Sequence, residues 1–273
     1  MIGDLKIIIA KYAPRILRRT ANALPLGDIR YRVVEKPAGF PRVLVCGVYV
    51  ADKENSAAHL VENFSGARSL DVTQRWCCMR GRPPSPALER VTAIVLPDYK
   101  PKWTVMAELM ADDWAAFDFV IFCDDDIEVG AGFLDAFIAL QQHYDFAVAQ
   151  PARTIRSYVA WKITRRRFLG RARETRFVES GPLVSMDKRF LPMALPFSDL
   201  SPMGWGYDHV WPLLARDAGL KMGIIDATSV DHRMRPQSAL YDTGKELATA
   251  IRYLDRTPHL PREELVTLRR HFR

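Results

Sequence analysis

The sequence predicts an α/β chain: one domain with a mainly parallel central sheet flanked by helices, preceded by a basic helical lead-in. Three observations carry this. Strand-sized apolar runs alternate with helical stretches from Arg42 to Gln150, a pattern that builds parallel sheets covered on both faces. Several of the runs are continuously apolar, as strands buried on both faces are. A chain of 273 residues with 48% hydrophobic content is long enough to bury one large core.

The elements follow in order. Residues 1–36 read as a basic helical extension, with Leu5, Ile8, Ile9, Tyr12, Ile16 and Leu17 at helical spacing among five Lys and Arg residues. Pro14 would kink it. The domain occupies 37–273 and divides into halves at 37–150 and 151–273. Arg42–Val50 (RVLVCGVYV) is a buried strand, Ala57–Phe64 a helix and Ser69–Met79 a second strand. After the breaker loop Gly81–Pro86, Val91–Leu96 is a third strand and Lys102–Ala116 a helix. Phe119–Cys123 is a fourth strand, Phe133–His143 a helix, and Phe146–Gln150 a short fifth strand. Beyond Pro151 the sequence turns Arg-rich and Pro-rich, with a helix at His209–Ala218 and a strand at Met222–Ile225.

Charge is unevenly placed. The net charge is +7, and residues 151–180 hold nine basic and two acidic residues, so this segment carries the whole excess. A localised excess points to an anionic partner beside it, or to a solvated face, and not to general nucleic-acid affinity. The four cysteines have no CxxC spacing and read as buried reduced thiols. No apolar run approaches the roughly 18 residues that span a bilayer, and the amino terminus lacks a signal-peptide pattern. The expectation is a cytoplasmic protein, attached at most peripherally to the inner face of a membrane through its basic segments.

The sequence contains no GxGxxG after a strand, no Walker loop, no GxSxG and no HExxH. It does contain Asp124-Asp125-Asp126 directly after an apolar strand, and ligands of open α/β sheets gather at strand carboxyl ends. Side chains two apart share a face, so Asp124 and Asp126 point together while Asp125 points away. Two such carboxylates make a hard-oxygen site for Mg²⁺ or Mn²⁺, which can clamp a diphosphate; the alternative is an acidic turn capping the next helix. Ser201–Asp208 (SPMGWGYD) offers glycines for close approach and Trp205 as a face for a sugar ring. Asp208 is either a general base or a helix N-cap. Ile224–Pro236 (IIDATSVDHRMRP) adds Asp226, Asp231 and His232, the last a candidate nitrogen ligand.

In this order, VIFCDDDIEV, FVESGPLVSM, GWGYDHVWPLL and IIDATSVDHRMRP resemble the GT-A glycosyltransferases over about residues 117–236. The order is similar to that of the metal-dependent galactosyltransferases. It resembles more closely a group of little-characterised GT-A-like proteins with AQP, FVE, GWG and a final histidine-arginine-proline segment. The resemblance implies a GT-A-like fold and a nucleotide-sugar donor, UDP-linked by expectation, held by its diphosphate on Mn²⁺ or Mg²⁺. Asp126 and His232 would be metal ligands, and Asp124 would contact metal or ribose. Asp208 would be the acceptor-side base of an inverting transfer, with Glu179 the competing candidate because only one acidic residue follows GWGY.

The first half would bind the nucleotide, with Val50, Asp52, Asp98, Lys102 and Asp125 as candidate contacts that no motif fixes. The second half would take a glycan or lipid-linked acceptor, anionic in keeping with the basic segment, through Trp205, Gly206, Arg165 and Arg166. Two rivals stay open: a sugar-phosphate nucleotidyltransferase or other metal-dependent phosphate enzyme, and a non-catalytic basic module for an anionic polymer or membrane.

Overall fold

The computed structural model describes residues 39–235 and 241–272; the lead-in expected over 1–36 lies outside the described residues. The first half runs β1 (Arg42–Val50), α1 (Ala57–Ser65), β2 (Asp71–Met79), α2 (Pro86–Glu89), β3 (Thr92–Leu96), α3 (Lys102–Met110), β4 (Phe119–Cys123), α4 (Phe133–His143) and β5 (Phe146–Arg153). The second half adds β6 (Ala172–Thr175), β7 (Leu183–Asp187), α5 (Leu191–Ala194), α6 (Tyr207–Asp217), β8 (Lys221–Val230), α7 (Thr243–Leu254), α8 (Arg262–Leu265) and β9 (Leu268–Phe272).

Among the described residues both halves feed one nine-stranded sheet in the order β3-β2-β1-β4-β7-β5-β8-β6-β9. Alternation along each strand divides the core. Val43, Val45 and Ile121 pack with Leu60, Phe64, Phe133 and Phe137 of α1 and α4 on one face. Leu44, Cys46, Val120 and Phe122 pack with Trp103, Met106 and Trp211 of α3 and α6 on the other. Burial on both faces is why β1 and β4 read as unbroken apolar runs. All four cysteines are buried and free.

The sheet is mixed, not mainly parallel. β1 pairs in parallel with β2 and β4, β2 with β3, and β5 with β8. β7 runs antiparallel to both β4 and β5, and β6 antiparallel to both β8 and β9. A parallel return needs a crossover of a dozen or more residues, usually helical. No α-helix lies between β5 and β7, and β7 enters reversed.

Two boundaries also differ from expectation. The helix expected through Ala116 stops at Met110, because Ala111 takes a left-handed φ of 50°, and a 3₁₀ turn follows at Trp114–Ala116. The strand expected at Met222–Ile225 continues to Val230. Among the described residues no helix is long and apolar enough to cross a membrane.

The second half is held to the sheet partly by charge. Arg173 on β6 and Asp226 on β8 are fully buried and form an ion pair at 2.7 Å. Asp226 also accepts the Arg167 backbone N–H at 2.7 Å, while Arg173 donates to the Ile163 and Arg165 carbonyls at 2.6 and 2.9 Å. Removing one partner of a buried pair leaves an uncompensated charge. Asp226→Ala should therefore destabilise the fold by about 3–5 kcal/mol; a loss under about 1 kcal/mol in urea unfolding would show that the pair is not needed.

Candidate functional site

The carboxyl ends of β1 and β4 open into a cavity of about 550 Å³. Of the residues singled out in the sequence, Val50, Lys102, Asp124, Asp125, Asp126, Glu179, Trp205, Gly206, Asp208 and His232 line it, together with Arg153 and Arg235. Asp52, Asp98, Arg165 and Arg166 are not among its lining. Asp52 pairs with Arg80 at 3.2 Å, and Asp98 and Arg165 are exposed.

Backbone pairing brings the acidic triplet to His232. The chain just past β4 bridges the chain just past β8, with Glu128 N–H on the Asp231 carbonyl at 2.9 Å and the reciprocal bond at 3.0 Å. Asp126 and His232 flank this bridge, and His232 Nε2 lies 3.3 Å from Asp126 Oδ2. Ser56 clamps the loop from the α1 side, donating to the Asp125 and Ile127 carbonyls at 2.8 and 2.6 Å.

Each acidic residue has a separate environment. Lys102, at the start of α3, places Nζ 2.7 Å from Asp124 Oδ1 and 3.1 Å from the Ser180 carbonyl. Asp125 turns the other way, accepting the Val50 N–H at 2.9 Å and pairing with Arg235. Its carboxylate is thus spent on joining β1 to the segment after β8, which leaves it little to offer a donor molecule. Burial pushes its pKa up to about 6 against the pull of Arg235. Asp126 is held below the usual carboxylate range, because His232, Arg235 and Lys102 together outweigh its burial.

A second layer ties the cluster to Glu179. Arg153, 1% exposed at the end of β5, donates to His232 Nδ1 at 2.6 Å, to the Gly181 carbonyl at 2.7 Å and to the Glu179 carboxylate. A guanidinium only donates, so Nδ1 accepts, and in the neutral ring Nε2 carries the hydrogen that faces Asp126.

Asp208 differs from Glu179. It opens α6 and forms no side-chain ion pair among the described residues; burial, then repulsion from Glu179, raises its pKa to about 7. Its neighbourhood is set by the Gly-Trp-Gly turn. Gly204 has φ 81° and Gly206 φ 95°, and a Cβ on Gly204 would fall on the Trp103 indole. Trp103 in turn stacks edge-on with Tyr207 and Trp211 at 5.4 and 5.3 Å. The residue after Lys102 thus fixes the turn that carries Trp205 and Asp208. Opposite, α7 presents Leu247, Ala250, Ile251 and Leu254 at helical spacing to the cavity, Leu247 and Ile251 each 53% exposed.

The sequence reading missed Arg153, Arg235 and the α7 wall. Arg153 counted only as part of a basic segment, and Arg235 stood inside HRMRP without a role; pairing with Glu179 and Asp125 is what marks them.

A divalent cation finds partial provision here. Asp126 Oδ1 is buried without a hydrogen-bond partner among the described residues, and oxygen donors suit Mg²⁺ and Mn²⁺. Asp126 Oδ2 and His232 Nε2 lie 3.3 Å apart, a spacing that suits neighbouring positions around one ion about 2.1 Å from each, provided that Nε2 gives up its hydrogen. Among the described residues no group of three or more His, Cys, Asp or Glu side chains is arranged to hold a metal, so further ligands would come from a bound diphosphate or water.

No family model matches the chain, and no curated protein matches it in sequence. Among solved structures it is similar to one described as GalNAc-T7 with UDP, GalNAc and Mn²⁺, at 10% identity and a TM-score of 0.55. The match covers 79% of this chain and 48% of that one, so this chain spans about half of that protein's length. An identity that low speaks for the fold alone: this chain has a GT-A-like fold, built on a mixed sheet.

Proposed function

We propose that this chain is a glycosyltransferase that moves a sugar from a UDP-linked donor, with Mn²⁺ or Mg²⁺, to a hydroxyl of a glycan or lipid-linked acceptor. The observation that carries this is the convergence of the β4 carboxylates, His232 and the Gly-Trp-Gly turn with Asp208 in one cavity, in a fold shared with a UDP-bound glycosyltransferase. A sugar-phosphate nucleotidyltransferase would need a glycine-rich, basic loop after β1, which Val48–Asn55 (VYVADKEN) does not provide, and a phosphohydrolase would leave Trp205 and Asp208 without a role.

Asp126 would hold the cation, with His232 joining through Nε2 once Arg153 releases Nδ1, while Asp124, already paired with Lys102, would contact the ribose. The bound cation would offset charge on the departing nucleoside diphosphate without proton transfer. Lys102 would add positive charge beside the diphosphate and Trp205 a face for the sugar. Asp208 would take the acceptor hydroxyl's proton as that oxygen attacks the anomeric carbon. Attack opposite the diphosphate inverts that carbon. Glu179 suits the base role less, because Arg153 already holds its carboxylate; it keeps Arg153 in place. The apolar α7 wall favours acceptors with an apolar portion next to the hydroxyl.

Asp126→Ala should weaken Mn²⁺-dependent UDP binding by more than the roughly 10–100-fold typical of outer-shell changes; an unaltered calorimetric affinity would remove Asp126 from the cation site. Asp208→Asn should retain UDP binding and lower UDP release from the donor in the presence of acceptor by about 10²–10⁴-fold. Undiminished release would assign the base elsewhere. The pH dependence is a separate check. A base must be deprotonated, so turnover should rise as pH passes about 7, where Asp208 loses its proton, and the Asn variant should lack that limb.

A further inference from the structure

Residues 154–171, between β5 and β6, contain six cations and no carboxylate: Arg156, Lys162, Arg165, Arg166, Arg167 and Arg171. All are exposed except Arg166, which is half-buried, and none of their side chains has an ion-pair or hydrogen-bond partner among the described residues. The other three cations of the basic segment are accounted for: Arg153 and Arg173 are buried in ion pairs, and Arg176 pairs with Glu264 at 2.9 Å. The segment's unspent charge therefore sits on this loop, outside the cavity.

The same loop displays apolar side chains. Phe168 is 49% and Leu169 76% exposed, directly after Arg165-Arg166-Arg167, and Tyr158 and Ile155 add further exposed surface. This exposure is built into the turn. Asp226 holds the Arg167 N–H at 2.7 Å, the Arg153 carbonyl holds the Arg166 N–H at 2.8 Å, and the Phe272 carbonyl holds the Arg171 N–H at 2.9 Å. Leu169 takes a left-handed φ of 63°, a conformation that costs a non-glycine residue energy. The fold thus anchors both ends of the turn and leaves its two large apolar residues in water.

We infer that this loop is a docking surface for an anionic phospholipid bilayer, with Phe168 and Leu169 entering the interface between headgroup-bound arginines. Charge complementarity alone would suit any polyanion, and a soluble polyanion has no place for a leucine presented this way. A bilayer interface takes both: cations at the phosphate level and apolar side chains at the acyl boundary. The surface stands independently of the transferase reading. Its consequence rests on that reading: Ala160 and Trp161 of this loop line the cavity, so docking would bring the cavity mouth to the membrane and favour a lipid-borne acceptor.

The test is co-sedimentation of the full chain with phosphatidylcholine vesicles, with and without phosphatidylglycerol. Binding should require phosphatidylglycerol and weaken with salt. Replacing Arg165, Arg166 and Arg167 by Gln should lower partitioning on the order of 100-fold. Phe168→Ser with Leu169→Ser should lower it on the order of 10-fold. Thermal unfolding and Mn²⁺-dependent UDP binding of both variants report whether the fold and donor site are intact. Serine substitutions that leave partitioning unchanged would overturn the proposal, leaving a charged surface for a soluble polyanion. Absence of binding to phosphatidylglycerol vesicles would overturn it as well. If vesicle binding follows the expected pattern while UDP fails to bind, the docking surface stands and the transferase reading falls.

Discussion

Carboxylates gathered in a cavity repel one another and resist leaving water, and the rest of this structure answers that constraint. Asp124 is matched by Lys102, Asp125 by Arg235, Asp126 by His232 and Glu179 by Arg153. The partners come from α3, β5 and the segment after β8, so neutralising the cluster also fastens the two halves of the chain together. Buried pairs of this kind add little net stability but make loss of a single partner costly. Asp208 is the exception: it has no ion-pair partner among the described residues, and burial followed by repulsion from Glu179 raises its pKa to about 7.

Packing fixes what charge does not. Trp103 follows Lys102 on α3 and lies against Phe122 at the end of β4, with ring centroids 4.8 Å apart. It also receives Gly204 and the aromatic face of α6. One indole therefore links the lysine beside Asp124, the strand that carries the acidic triplet and the turn that carries Trp205. Arg153 performs a similar service in polar terms, joining His232 to Glu179 and the Gly181 carbonyl.

Much of the first half was legible because its strands are buried on both faces. RVLVCGVYV after its leading arginine, and FVIFC, are apolar throughout, and the structure gives them the predicted bounds. β6 was not legible. ARET reads as polar loop, and its burial depends on Arg173 meeting Asp226, 53 residues away. The reversed β7 was hidden for a similar reason, since five residues carry no direction and only the lack of a crossover helix sets it. The left-handed Ala111 that ends α3 leaves no mark in sequence. At the site, the acidic triplet and His232 stood out by residue type beside strand ends, and Trp205 and Asp208 by the glycine-flanked turn before a helix, while Glu179 entered only through the family resemblance. Arg153 and Arg235 did not, because an arginine becomes a site residue only through a distant carboxylate. Arg165 and Arg166 stood out by charge, and the structure turns them away from the cavity.

The proposed activity requires the strand-end cluster to bind a nucleoside diphosphate together with a divalent cation. Calorimetric titration of UDP into the full chain, with Mn²⁺ and then with chelator, tests it most directly. Saturable binding that Mn²⁺ supports and chelator abolishes is the expected result. Absence of binding by UDP or any other nucleoside diphosphate under both conditions would contradict it.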